Sequence, residues 1–78
     1  MTGKETMKAF FGELNDRFTQ PMNEWAKKEY GKTIEELIDH TNIPDNDLLK
    51  IAQSFRDNDG INCLADIWEF LEDLARWH

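Results

Sequence analysis

The segment FRDNDGIN has the side chains best suited to holding a metal ion, because Asp57 and Asp59 precede Gly60 as ligands do in a calcium loop. An EF-hand loop needs an oxygen ligand at its first position, glycine at its sixth and a bidentate glutamate at its twelfth. With Gly60 in the sixth position, the first is Phe55 and the twelfth is Asp66. Phenylalanine cannot bind calcium, and aspartate is one carbon too short for the bidentate role. The segment is therefore more typical of a helix stop with a polar hinge, since Asn, Asp and Gly tolerate the left-handed backbone that ends helices.

No combination of nucleophile, acid and base suggests catalysis. Cys63 is the only cysteine, and the only histidines are His40 and His78. None of them belongs to a CxxC or HxxxH pair, and the sequence has no glycine-rich phosphate loop. Asp39 and His40 are adjacent, and adjacent residues point apart on a helix. We therefore expect a protein that is not an enzyme and that binds no cofactor and no metal.

Carboxylates dominate the second half of the chain. Residues 1–32 contain six Lys or Arg and five Asp or Glu, whereas residues 33–78 contain three and eleven. A surface of that sign repels nucleic acids and acidic membranes and attracts basic surfaces. Many small proteins are acidic only because charge keeps them in solution, so the charge by itself leaves both interpretations open.

The length of 78 residues allows one small helical domain, covering residues 1–78, with a thin hydrophobic core. A single cysteine rules out an internal disulfide, which fits a reducing compartment. The sequence has no apolar run near about 18 residues, and its start, MTGKETMKAFF, lacks the continuous apolar segment of a signal peptide. We expect a cytoplasmic protein without membrane partners, and the thin core makes a homodimer reasonable.

Apolar residues recur with helical periodicity throughout, which predicts an all-α bundle of four or five short helices. The first stripe consists of Met7, Phe10, Phe11, Leu14 and Phe18. Pro21 is expected in the first turn of a second helix, which Gly31 ends. The inward positions of that helix are Met22, Trp25, Ala26 and Tyr30.

Two further helices are predicted in the middle of the chain. Thr33 opens the third with a T-x-x-E capping box that Glu36 closes. Asn42 and Pro44 interrupt the pattern, and a fourth helix starts at about Asp45. The apolar positions are Ile34, Leu37 and Ile38 on the third helix and Leu48, Ile51, Ala52 and Phe55 on the fourth.

The last predicted helix, residues 62–77, has an unusually broad apolar face. Its charged residues lie within about 120° of arc; they are Asp66, Glu69, Glu72, Asp73 and Arg76. Its apolar residues fill about 180°, although a surface helix needs little more than about 100°; they are Leu64, Ile67, Trp68, Phe70, Leu71, Leu74, Ala75 and Trp77. Either this helix is central in the bundle, or part of the face meets a partner, with Trp77 as the residue most expected outside the core.

The segment TIEELIDHTNIPDNDLLKIAQSF, residues 33–55, resembles a helix-turn-helix motif. The matching positions are Leu37 and Ile38 on the first helix, Asn42 and Ile43 in the turn, and Leu48 and Ile51 on the second helix. In a DNA-reading version the start of the second helix, here PDND, enters the major groove. Two carboxylates would meet phosphates there, although affinity for DNA comes chiefly from Lys and Arg. Direct DNA binding is therefore unfavourable, and a helix-turn-helix regulator is the alternative interpretation.

Within that segment, IDHTNIPDNDLLKIA is similar to a segment of phage antirestriction proteins, in which an acidic helix end, a proline and an Asp-led aliphatic helix follow one another. The small size, acidity and scattered aromatic residues also resemble phage and mobile-element inhibitors of the anti-CRISPR type. The resemblance implies a non-enzymatic inhibitor in the host cytoplasm. Its carboxylates would occupy the place of DNA phosphates on a basic, nucleic-acid-binding surface of a host defence complex.

Helical spacing of i, i+3 and i+4 places side-chain origins about 5–6 Å apart, close to what phosphate mimicry needs. The third helix, the hinge and the last helix each supply carboxylates, and Trp77 is a candidate aromatic anchor. We predict partner contacts at Glu35, Glu36, Asp39, Asp57, Asp59, Asp66, Glu69, Glu72 and Asp73. A third interpretation is an interaction module that docks through the apolar face of the last helix.

Overall fold

Five helices make up most of the computed structural model, which describes residues 2–58 and 64–76, and they confirm the all-α prediction. They are α1 (Gly3–Glu13), α2 (Asp16–Tyr30), α3 (Ile34–His40), α4 (Asp45–Asp57) and α5 (Leu64–Arg76). The expected hinge falls between α4 and α5, and its Asp59 and Gly60 lie outside the described residues, as does Trp77. No helix in the described part of the chain combines the length and the apolar character needed to cross a membrane.

The first apolar stripe divides between two helices, so the predicted start of the second helix is wrong. α1 ends at Glu13, and Leu14 is extended with φ −69° and ψ 147°. Asn15 then caps α2, because its side-chain oxygen accepts a hydrogen bond of 3.0 Å from the Arg17 N–H. Pro21 consequently lies inside α2 instead of in its first turn. It removes the N–H that would otherwise bond the Arg17 carbonyl, a modest loss on an exposed side of the helix.

The boundaries of α3 and α4 agree with the sequence. Thr33 and Glu36 form the predicted capping box, in which the Glu36 N–H donates to the Thr33 hydroxyl and the Thr33 N–H donates to the Glu36 carboxylate, both at 3.2 Å. Gly31 ends α2 in the left-handed conformation, with φ 69°. Tyr30 was expected to point inward, but it is 42% exposed and contacts Trp25 edge to face at 5.5 Å between ring centroids.

α1 and α4 lie side by side and run in the same direction. At their N-terminal ends the Gly3 N–H donates to the Asp45 carboxylate at 2.7 Å, and at their C-terminal ends Arg56 bonds the Glu13 carboxylate at 2.9 Å. Both contacts join residues 42 or 43 positions apart, so the register of the pair is constant along its length. A parallel pair needs a crossover connection, and α2 and α3 supply it.

α5 packs against three other helices, which accounts for most of its broad apolar face. Five of its residues are at most 5% exposed: Ile67, Phe70, Leu71, Leu74 and Ala75. Phe70 contacts Phe55 of α4 at 5.7 Å, Trp68 contacts Trp25 of α2 at 5.9 Å, and α5 also packs on α3. Within residues 64–76 most of the apolar face therefore belongs to the core, and this burial fixes the orientation of the charged face of α5.

Candidate acidic interaction surface

The charged face of α5 presents four carboxylates to solvent. Asp66, Glu69, Glu72 and Asp73 are all exposed, and none of their carboxylates forms a hydrogen bond or an ion pair with another described residue. At a rise of about 1.5 Å per residue they extend along about 10 Å of the helix. We call these four residues the α5 acidic face. It contains four of the predicted carboxylates that are free to meet a partner.

Two of the three carboxylates predicted as a row on α3 form contacts within the protein. Asp39 forms an ion pair with Lys8, and its backbone carbonyl accepts a hydrogen bond of 2.9 Å from the Lys4 ammonium. The hydrogen bond to Asp39 raises the pKa of Lys8 above its ordinary value. Glu36 is engaged in the capping box. Glu35 is exposed, and its carboxylate makes no hydrogen bond within residues 2–58 and 64–76. Asp39 thus joins α3 to α1 and Glu36 caps α3, so the two do not form an open row with Glu35.

Of the two carboxylates predicted at the hinge, Asp57 is among the described residues and Asp59 is not. Asp57, the last residue of α4, is exposed, and its neighbour Arg56 is paired with Glu13. Asp59 and the proposed anchor Trp77 lie beyond that limit, so their contribution to the surface stays a prediction. The metal-binding alternative also depends on Asp59. Among the residues that are described, no group of three or more His, Cys, Asp or Glu could hold a metal ion.

Asp45 has a structural role that the sequence did not indicate. Its two carboxylate oxygens accept hydrogen bonds from the backbone N–H groups of Gly3 at 2.7 Å and of Lys4 at 3.0 Å. The first turn of a helix has unsatisfied N–H groups and a partial positive charge, so a carboxylate is well placed there. These hydrogen bonds hold the pKa of Asp45 below its ordinary value of 3.8.

Because the pKa of Asp45 is lowered, the wild-type protein should lose stability in acid. The Asp45→Asn variant lacks this carboxylate, so it should lose less. The folded state binds this proton less readily than the unfolded state, so the carboxylate stabilises the fold above its ordinary pKa. That contribution is lost as the pH falls below 3.8 and through the lower pKa of the folded protein. In thermal unfolding between pH 7 and pH 3, we expect the difference in Tm between wild type and variant to shrink toward low pH. A constant difference would contradict the assignment.

An open groove lies where the α3–α4 turn meets α5. Its volume is about 660 Å³. The apolar part of its lining consists of Ile43, Pro44, Ile51 and Phe70, and the charged part of Asp47, Lys50 and Asp73. Asp73 therefore belongs both to this groove and to the α5 acidic face. Sequence reasoning missed the groove, although Ile43 and Ile51 were named as helix-turn-helix positions, because the groove needs α5 to complete it.

Comparison with known proteins finds no relative for this chain. No family model matches the sequence, and no curated protein and no solved structure matches it either. The resemblance to phage inhibitors therefore stays a prediction.

Proposed function

We propose that this protein is a non-enzymatic inhibitor of the phage type, anti-CRISPR or antirestriction, which blocks a basic, nucleic-acid-binding surface of a host defence complex. The contact is the α5 acidic face. The observation that carries the proposal is the set of four exposed carboxylates, which have no partner among the described residues, on a helix whose opposite side is buried in the core. Arg76 is exposed on the same side of α5, so the carboxylates outnumber the positive charge there four to one. Such an excess of one sign attracts and steers a partner of the opposite sign.

The burial of α5 supports this choice because an electrostatic mimic needs its charges on a rigid support. Leu71, Leu74 and Ile67 are completely buried, so the backbone that bears the carboxylates is anchored in the core. Binding then requires ordering of four side chains and no ordering of the helix itself, which reduces the entropic cost of association. The α3 carboxylates contribute less, since Glu36 and Asp39 are already engaged.

Direct DNA binding has weaker support from the same contacts. The Asp45 carboxylate at the start of α4 is bonded to the N-terminus of α1, and Arg56 is paired with Glu13. Asp47 is exposed at the end of α4 that would have to enter the major groove. The third interpretation, docking through the apolar face of α5, loses most of its surface because Ile67 and its apolar neighbours on α5 are in the core.

Reversing charges on the α5 acidic face should abolish capture of the partner. The test variant carries Asp66→Lys, Glu69→Lys and Glu72→Lys, and the matched control carries Glu5→Lys, Glu24→Lys and Glu29→Lys, which make the same change in net charge on α1 and α2. From a nuclease-treated lysate of the source organism, wild type and control should retain a nucleic-acid-binding protein at low salt and release it at high salt. The test variant should bind it at least about tenfold more weakly.

Far-UV circular dichroism should show equal helicity for the three proteins, because all six substituted side chains are exposed. Equal retention by the α5 variant would overturn the proposal. Equal loss by the control would also overturn it, since net charge and not the α5 acidic face would then determine binding. A captured protein with no nucleic-acid function that survives the high-salt wash would favour an apolar docking surface instead.

A further inference from the structure

We infer that the groove between the α3–α4 turn and α5 receives an apolar side chain from a basic peptide segment of the partner. This inference rests on the proposed function and adds a second, apolar contact to it. The groove volume of about 660 Å³ is within the range of roughly 300–1,000 Å³ that ligand pockets occupy. It is ample for one inserted side chain.

The groove offers apolar surface that the fold itself leaves partly uncovered. Ile43 and Ile51 are half-buried and pack against the core, and Phe70, only 5% exposed, closes the groove toward the core. An apolar side chain placed between them would remove apolar area from water on both sides of the contact, which is favourable in proportion to the area buried. The lining therefore favours an aliphatic or aromatic anchor.

The charges beside that apolar surface specify what should flank the anchor. Asp47 and Asp73 line the groove, and neither carboxylate has a hydrogen-bond or ion-pair partner in the described ranges. Lys50 lines it as well, so the charged lining has two negative groups against one positive group. Arginine or lysine beside the apolar anchor would be complementary to Asp47 and Asp73, whereas acidic flanks would be repelled.

Asp73 makes the groove continuous with the α5 acidic face. A basic segment that meets Asp73 from the acidic face can therefore place its apolar residue in the groove without a change in the fold. The acidic face and the groove would contribute differently to binding. Exposed charges steer association and are weakened by salt, whereas apolar burial is little affected by it.

The inference is tested with the full chain and synthetic peptides. The probe is the nine-residue peptide ARRALARRA, compared with a version in which serine replaces the central leucine and a version in which glutamate replaces every arginine. Binding is measured by fluorescence anisotropy, and contacts are mapped by the backbone amide shifts of ¹⁵N-labelled protein. We expect the leucine peptide to bind about tenfold more tightly than the serine peptide, the gain from burying one leucine side chain. The largest shifts should fall on residues 43–51 and 70–73, and the glutamate peptide should not bind.

Groove variants complete the design. Ile51→Ser should remove the preference for leucine, and the matched control Leu64→Ser, which is also half-buried but does not line the groove, should keep it. Asp73→Asn, at an exposed position, should weaken the binding of the arginine peptides, while the amide spectrum remains that of a folded protein. This second variant keeps the test decisive if Ile51→Ser fails to fold.

Equal affinity for the leucine and serine peptides would overturn the inference, and so would binding of the glutamate peptide at the groove. Concentration-dependent shifts at the groove without peptide would also overturn it, because a second copy of this chain would then occupy the groove. Shifts confined to residues 66–72 would also remove the groove while leaving the proposed function intact. Failure of the lysate capture, by contrast, would reject the proposed function itself.

Discussion

Gly3→Ala is expected to destabilise the fold by about 3 kcal/mol, the upper end of what overpacking costs. A Cβ atom at Gly3 would lie 2.0 Å from the Asp45 carbonyl oxygen and 2.9 Å from its carbonyl carbon. These are backbone atoms, so no side-chain rotation relieves the clash. The N-terminus of α1 would have to move away from α4, and the two hydrogen bonds to the Asp45 carboxylate would lengthen or break.

Gly12→Ala is the matched control on the same helix. Its added Cβ would meet no atom within 4 Å, and the position is exposed. Alanine is favoured over glycine in a helix by about 1 kcal/mol, and position 12 is near the end of α1, so a gain of about 0.5–1 kcal/mol is expected. Urea unfolding at 25 °C should thus move the two midpoints in opposite directions. A cost below about 1 kcal/mol for Gly3→Ala would contradict the close approach of α1 and α4.

The sequence predicted those elements whose boundaries have local signals. The capping box at Thr33, the stop at Gly31 and the start at Asp45 need only neighbouring residues, and the structure confirms all three. The boundary between α1 and α2 was missed because Leu14 and Phe18 continue the apolar spacing of α1 and are both half-buried. Two helices meeting at an angle can cover the same core and leave the stripe unbroken in sequence.

The sequence predicted which carboxylates lie on the surface, but not which of them are free of partners within the protein. Periodicity correctly placed the carboxylates of α5 opposite its apolar residues. It could not show that Asp39 meets Lys4 and Lys8, or that Asp45 caps α1, because these contacts join residues more than 30 positions apart. Such pairings depend on how α1 packs against α3 and against α4, and no sequence pattern within one helix encodes its neighbours. The groove escaped prediction for the same reason.

Leu71→Ala is expected to cost about 2–5 kcal/mol, which is the range for truncating a buried leucine. Leu71 is completely buried in the centre of α5. A domain of this length has a total stability of about 4–12 kcal/mol, so the variant should be largely unfolded in moderate urea where wild type is folded. The control is Glu72→Ala, its exposed neighbour on the acidic face, which should change stability by less than about 0.5 kcal/mol.

The comparison of Leu71→Ala with Glu72→Ala also decides what the two faces of α5 do. If Leu71 is core, its truncation lowers the free energy of unfolding measured by urea titration, and any loss of partner binding follows only from unfolding. If the apolar face instead meets a partner, Leu71→Ala would leave unfolding nearly unchanged and weaken binding directly. A cost below about 1 kcal/mol would therefore contradict the burial of the apolar face of α5. It would also remove the rigid support on which the α5 acidic face depends.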